Sequence, residues 1–224
     1  MRTEFLEMSG RCTAANLAQE SAKLIADLGE RLGTFVAQMN EQRITSVSIR
    51  YYGELTQSKT AIVRNAILTG VFKSLLSSGV TVVNASGVAA ERGIEVIESQ
   101  STRSRNYPSL ISVRLRGNQG ERWVEGTLFE RTTPRLVLID GVAVEAHLEG
   151  TMIVTCNNDQ PGVIGAVGTI LGKHHINIAQ FALGREGDRA VGIVTVDEPT
   201  PIPDAVLEEL RQAKAIREVR LVRF

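Results

Sequence analysis

The sequence predicts an α+β protein of two domains. The first is an N-terminal α+β domain with a mixed or antiparallel sheet; the second is a C-terminal ferredoxin-like βαββαβ unit. Three observations predict it. A long three-to-four apolar periodicity opens the chain, and alternating apolar and polar runs cluster in its middle. From Thr151 onward, strand-like and helix-like runs follow in the order strand, helix, strand, strand, helix, strand. The boundary is expected at Glu149–Gly150, giving a first domain over 41–149 and a second over 150–224.

Residues 1–13 show no periodicity and read as a disordered segment or tail. Over 14–40, Leu17, Leu24, Ile25, Leu28, Leu32, Phe35 and Met39 recur at helical spacing, predicting an amphipathic helix. A seam at Ser21, Ile25, Leu28, Leu32, Phe35 and Met39 suits either pairing with another helix or packing on its own domain. "ITSVSIRYYGEL" alternates as a strand with one polar face. "KTAIVRNAILTGVFKSLLSSG" reads as a second amphipathic helix ended by Gly79. "VTVVNA" reads as a short apolar strand, and "SGVAAERG" as a short helix stopped by Gly93. Then "IEVIESQS", "SLISVRLRG", "ERWVEGTLF" and "PRLVLIDG" read as four strands, with "GNQGE" at 117–121 as a hairpin turn.

In the second unit "TMIVTCNN" reads as a strand and "PGVIGAVGTILGKHH" as a helix. "INIAQFALGRE" and "DRAVGIVTVDE" are strands joined by a glycine turn, "PIPDAVLEELRQA" is a helix with Pro203 near its start, and "IREVRLVRF" is the last strand.

Charge and composition exclude several classes. Lys and Arg together number 25, as do Asp and Glu, so no global field favours nucleic acid or an anionic membrane. No apolar run has transmembrane length, and "MRTEFLEMSGRCTAANLAQE" lacks the apolar core of a signal peptide, so a cytoplasmic protein is expected. Cys12 and Cys156 are too few and too far apart for a metal cluster or a disulfide framework and are expected as reduced thiols. His174 and His175 sit at a helix end with no third ligand spaced nearby, so no metal site is expected. Trp123 alternates with Glu125 on a strand, a packing position rather than a stacking platform.

"CNNDQPGVIGAVGTILG" at 156–172 imitates a dinucleotide turn: Gly162, Gly165 and Gly168 follow a strand and open a helix, and Asp188 lies twenty residues past Gly168. The spacing is G-x-x-G-x-x-G, whereas the fingerprint needs G-x-G-x-x-G so that the backbone can turn tightly against pyrophosphate. Glycines three apart share a helix face and present a smooth surface for close packing. Pro161 removes an N–H and Asp159 places negative charge where a phosphate would sit. A helix N-terminus still offers free N–H groups to a small carboxylate. Asp159 beside it suits an ammonium, or else simply caps the helix.

"DQPGVIGAVGTILGKHHINIAQFALGR" resembles the opening of an ACT domain, a βαββαβ module that senses amino acids; His175 stands where the family motif has glycine. Upstream, "NASGVAAERGIEV", "EGTLF", "PRLVLIDG" and "EAHLEG" resemble the intervening, allosteric-substrate-binding domain of long-type D-3-phosphoglycerate dehydrogenases, and "LGERLGTFVAQM" the linker helix before it. The resemblance covers about residues 14–224. It implies the regulatory C-terminal part of such an enzyme, as a fragment or as a separate polypeptide, with catalytic dehydrogenase domains in cis or in trans. NAD would be held by that catalytic part, and no cofactor or catalytic residue is expected in this chain.

It further implies an L-serine site, or one for a similar small amino acid, between ACT domains paired as a homodimer or higher oligomer. The site residues would be Asn157, Asp159, Pro161, Gly162, Val163, Ile164 and Asn177. Asp159 would take the ammonium, the backbone N–H of Val163 or Ile164 the carboxylate, and the partner chain's Asn177 the remaining polar groups. An anion site would fall at Arg135 and His147, the latter standing where the family carries arginine; Arg103 and Arg105 are further basic candidates from composition. Two other readings stay open: a β-type subunit of an iron–sulfur L-serine dehydratase, and a stand-alone amino-acid-sensing ACT regulator.

Overall fold

A computed structural model describes residues 14–54, 60–76, 79–197 and 202–224. The expected tail over 1–13 and the side chain of Leu17 lie outside the described residues.

Helix α1 (Ala14–Met39) runs 26 residues, and its seam enters the core: Leu28, Leu32, Phe35 and Met39 are fully buried. It serves both roles left open by the sequence. It packs on its own domain's sheet, and it also pairs with α2 (Thr60–Leu75). The two helices approach backbone to backbone. A Cβ on Gly33 would lie 2.1 Å from the Ile67 carbonyl oxygen, and one on Gly70 would lie 2.0 Å from that of Glu30.

Six strands form the first sheet: β1 (Ile44–Gly53), β2 (Glu95–Ser101), β3 (Ser109–Gly117), β4 (Gly120–Phe129), β5 (Thr133–Ile139) and β6 (Val142–His147), in the order β2-β1-β3-β4-β5-β6. β1 and β2 are parallel and the other pairs antiparallel, so the sheet is mixed. Val47, Ile49 and Tyr51 of β1 and Ile111, Val113 and Leu115 of β3 point into the core. The alternate positions Arg50, Tyr52, Ser112, Arg114, Trp123 and Glu125 share the opposite face, where Ser112 and Glu125 are themselves buried.

Three local expectations are corrected. "VTVVNA" is not a strand: Asn84 Oδ1 accepts from Thr81 N at 2.8 Å and Asn84 Nδ2 donates to the Gly79 carbonyl at 2.7 Å. The run therefore curls into a turn that enters α3 (Ala85–Glu91), and Val83 is left 92% exposed. α2 stops at Leu75, and Gly79, expected to end it, takes φ +90° in the loop beyond. Strand β6 was not foreseen. It returns from β5 through Asp140–Gly141, with φ of 46° and 90°, the positive pair that a tight two-residue hairpin requires.

The second sheet comprises β7 (Thr151–Asn158), β8 (Ile178–Glu186), β9 (Arg189–Val196) and β10 (Ile216–Arg223), all antiparallel, in the order β10-β7-β9-β8. Helices α4 (Val163–Lys173) and α5 (Asp204–Gln212) cover one face, burying Ile153, Val167, Leu171, Val194, Val206 and Leu210. The other face delivers Met152, Val154, Val191, Ile193 and Val222 into the same core as α1 and the first sheet. This explains the unbroken apolar run Met152–Val154: a strand buried on both faces has no solvent-facing alternate.

At the junction, Arg122 of β4 bonds Asp140 at 2.8 Å and also pairs with Glu218 of β10. Arg31 Nη1 donates to the Leu148 carbonyl at 2.6 Å. Gly184 of β8 lies so close to β6 that a Cβ would sit 2.2 Å from the Ala143 carbonyl oxygen.

Candidate functional site

The loop after β7 places the first group of expected site residues. Asn157 pairs in register with Ala190 and Ile216, is 4% exposed, and its Nδ2 finds no hydrogen-bond partner. Asp159 does not cap the helix. Its backbone N–H donates to the Asp188 carbonyl at 3.1 Å, and its carboxylate lies 3.2 Å from Arg185 Nε. The N-cap of α4 is Gly162, in the left-handed region at φ +93° and with no side-chain cap. Gly162 thus makes the turn rather than belonging to a helical glycine face. The first N–H groups of α4, including those of Val163 and Ile164, have no intrahelical acceptor. Pro161 is exposed, Val163 is buried, and Ile164 is half exposed.

The remaining glycines also depart from expectation. A Cβ at Gly165, Gly168 or Gly172 would meet nothing within 4 Å, so among the described residues this face is open rather than packed. At three-to-four spacing the three share one side of the helix.

Asn177 stands at the other end of the sheet. Ile178 pairs with Val196 and Val196 with Thr151, whereas Glu186 pairs with Arg189 and Arg189 with Asn158. Seven strand residues separate the two ends, about 20 Å, so one chain does not bring Asp159 and Asn177 together. Asn177 Nδ2 donates to Asp197 Oδ2, and Asp197 N donates back to the Asn177 carbonyl at 3.2 Å. The strand they flank, β8, is the edge of its sheet. His175 takes φ +56°, which accounts for the glycine that the ACT motif carries there. His174 Nε2 lies 2.8 Å from Glu209 Oε2, and Lys173 reaches the same carboxylate, holding it below the ordinary carboxylate range.

The basic candidates divide. Arg135 and His147 face each other across β5 and β6. Arg135 is largely buried over the Phe129 ring, and its Nε has no partner. His147 Nδ1 lies 3.6 Å from Glu149. Arg105 is engaged elsewhere: it stacks 5.2 Å from the Tyr52 ring centroid and bonds the buried Glu125 at 2.8 Å. Burial raises the Glu125 carboxyl above its usual range, and Arg105 offsets this only in part. Arg103 is exposed in the same loop. Trp123 is a packing residue: its Nε1 donates to Ser112 Oγ at 2.6 Å and Arg114 covers its ring. Cys156 is half-buried, and burial together with nearby Glu218 pushes its thiol up to about 12; Cys12 lies outside the described residues.

Sequence reasoning missed Arg185, Asp197 and the Arg122–Asp140–Glu218 junction. Each depends on register between separate strands, which no local motif encodes. Among the described residues no group of three or more His, Cys, Asp or Glu could hold a metal ion, and no helix is long and apolar enough to cross a membrane. The glycine loop does not fit a dinucleotide: its sheet is antiparallel, and Asp188 sits in the β8–β9 hairpin rather than at the end of a parallel strand.

Residues 22–140, over half of the chain, match the D-3-phosphoglycerate dehydrogenase intervening domain, and residues 151–215 match the ACT domain. The chain belongs to the D-3-phosphoglycerate dehydrogenase family. Relatives bearing that enzyme's name include those of Archaeoglobus fulgidus (36% identical, covering 87% of this chain), Bacillus subtilis (32%, 86%) and Synechocystis (32%, 88%). The chain spans only 36–37% of the length of these dehydrogenases. It corresponds to their C-terminal regulatory region, an intervening domain followed by an ACT domain.

Proposed function

We propose that this chain is the amino-acid-sensing part of a D-3-phosphoglycerate dehydrogenase, and that it binds L-serine or a similar small amino acid between two ACT units to exert feedback control. The observation that carries this reading is the placement of Asp159 and Asn177 at opposite ends of edge strand β8. Antiparallel two-fold pairing of β8 with its copy brings the Asp159 end of one chain to the Asn177 end of the other, so each dimer makes two equivalent sites. Pairing also covers an open strand edge.

In each site the Asp159 carboxylate takes the ammonium. The uncapped N–H groups of Val163 and Ile164, behind Pro161 and Gly162, take the carboxylate. The buried Asn157 Nδ2 lacks a partner and supplies one more donor. The partner subunit's Asn177 closes the pocket. The open face of Gly165, Gly168 and Gly172 lets the α4 helices of the pair approach. β8 is in backbone contact with β6 through Gly184 and Ala143, so a change at the pair reaches the intervening domain directly. Ligand and catalytic state then bias each other reciprocally.

In this reading NAD and the chemistry belong to catalytic domains joined in cis or in trans. Arg135, with its unpaired Nε, and His147 form a second, anion-binding position in the intervening domain. Titration of the purified chain with L-serine by calorimetry tests the effector site. Saturable heat at one site per chain is expected. A folded dimer that gives no heat at millimolar serine overturns it.

A further inference from the structure

Resting on that reading of the ACT unit, we propose that the effector site is self-occupied when empty: Arg185 stands in for the ligand's ammonium at Asp159, and Asp197 stands in for an acidic or polar ligand group at Asn177. The two side chains assigned to ligand binding come from opposite ends of β8, yet each is held by a same-chain group of the charge or polarity that the ligand would bring. Arg185 Nε lies 3.2 Å from Asp159 Oδ1. At the other end, Asn177 Nδ2 donates to Asp197 Oδ2, and the Asp197 backbone N–H returns a bond to the Asn177 carbonyl at 3.2 Å, closing a two-bond ring.

The groups that have no in-chain substitute are the donors at the centre. Asn157 Nδ2 is buried and unpaired, and α4 begins at Gly162 with no side-chain cap. In-chain partners therefore mask the charged ends, while the first N–H groups of α4 keep no side-chain cap. A ligand with a carboxylate alone gains only these. A ligand with both charges must exchange Arg185 for its own ammonium, and that exchange is favourable only where the ammonium fits Asp159 more closely than a long guanidinium on a 62% exposed side chain. Arg185 and Asp197 thereby set both affinity and selectivity for a compact zwitterion.

Exchanging one cation for another at Asp159 also leaves the number of ion pairs unchanged, so binding by the native chain responds weakly to salt. Without Arg185, binding creates a new pair and becomes salt-sensitive.

Calorimetric titration of L-serine into the native chain and into Arg185→Gln, Asp197→Ser and Asp159→Asn, each confirmed folded and dimeric, at low and high salt, tests this. Arg185→Gln is expected to bind about fivefold tighter, the scale of removing one exposed ion-pair competitor, and to lose that gain at high salt. Asp197→Ser is expected to shift the same way by a smaller factor, and Asp159→Asn to lose binding. Weaker or unchanged binding by Arg185→Gln, with Asp159→Asn still defective, overturns self-occupation and leaves the effector site standing. Unchanged binding by Asp159→Asn overturns the site itself. Serine binding that appears only in Arg185→Gln supports the proposal, and binding in none of the four overturns both.

Discussion

Two helical regions of this chain are rich in glycine, and they use it in opposite ways. In the α1–α2 pair, Gly33 and Gly70 are notches into which the facing backbone fits, with no room for a methyl group. On α4, Gly165, Gly168 and Gly172 face open space. Both patterns advertise a close approach, because a residue with no Cβ weakens a helix unless something uses the gap. The first partner lies in the same chain. The α4 face has none among the described residues, and the proposed ACT pairing would supply one.

The contrast is broken or sharpened by substitution. The largest effect is expected from Gly33→Ala or Gly70→Ala. A Cβ about 2 Å from a carbonyl oxygen must push two helices apart, at a cost of ~3 kcal/mol, read as the shift in a urea unfolding midpoint. Stability within the error of the native chain would show that the helices slide freely past each other. Gly168→Leu comes next: the isolated chain should stay folded, while self-association measured by sedimentation weakens about tenfold, ~1.4 kcal/mol. An unchanged dimer constant would remove α4 from the interface. His175→Gly places glycine where the backbone is already left-handed and should raise stability by about 1 kcal/mol. Gly168→Ala, assayed at dilutions where the chain is monomeric, should stabilise it by ~0.5–1 kcal/mol through helix propensity alone. A loss there would mean that the face is occupied within the chain after all.

Much of the architecture was legible because each element carries its own period. The α1 seam at Leu28, Leu32, Phe35 and Met39 reads directly as its buried stripe. The βαββαβ order followed from runs of unambiguous length. Legibility failed where a run's fate depends on what lies beside it. "VTVVNA" has strand chemistry, yet the side-chain bonds of Asn84 turn it into the start of α3. β6 is six residues long, and its surest signal was the Asp140–Gly141 turn before it. The site divides the same way. Asp159 and Asn177 stand in recognisable motifs, but Arg185 is selected only by where the β8–β9 hairpin carries it, and Asp197 only by where β9 ends beside the start of β8.

The ACT sheet turns Met152, Val154, Val191, Ile193 and Val222 into the hydrophobic interior that α1 and the first sheet also fill. The C-terminal unit is therefore not a detachable cassette. Cut at Gly150, it would show water an apolar floor that its own two helices do not cover, and it would tend to aggregate. Heated intact, the chain should melt in a single calorimetric transition, because neither half can lose its packing without opening the interior of the other. Grafting the ACT unit onto an unrelated enzyme would thus require carrying α1 and the first sheet with it.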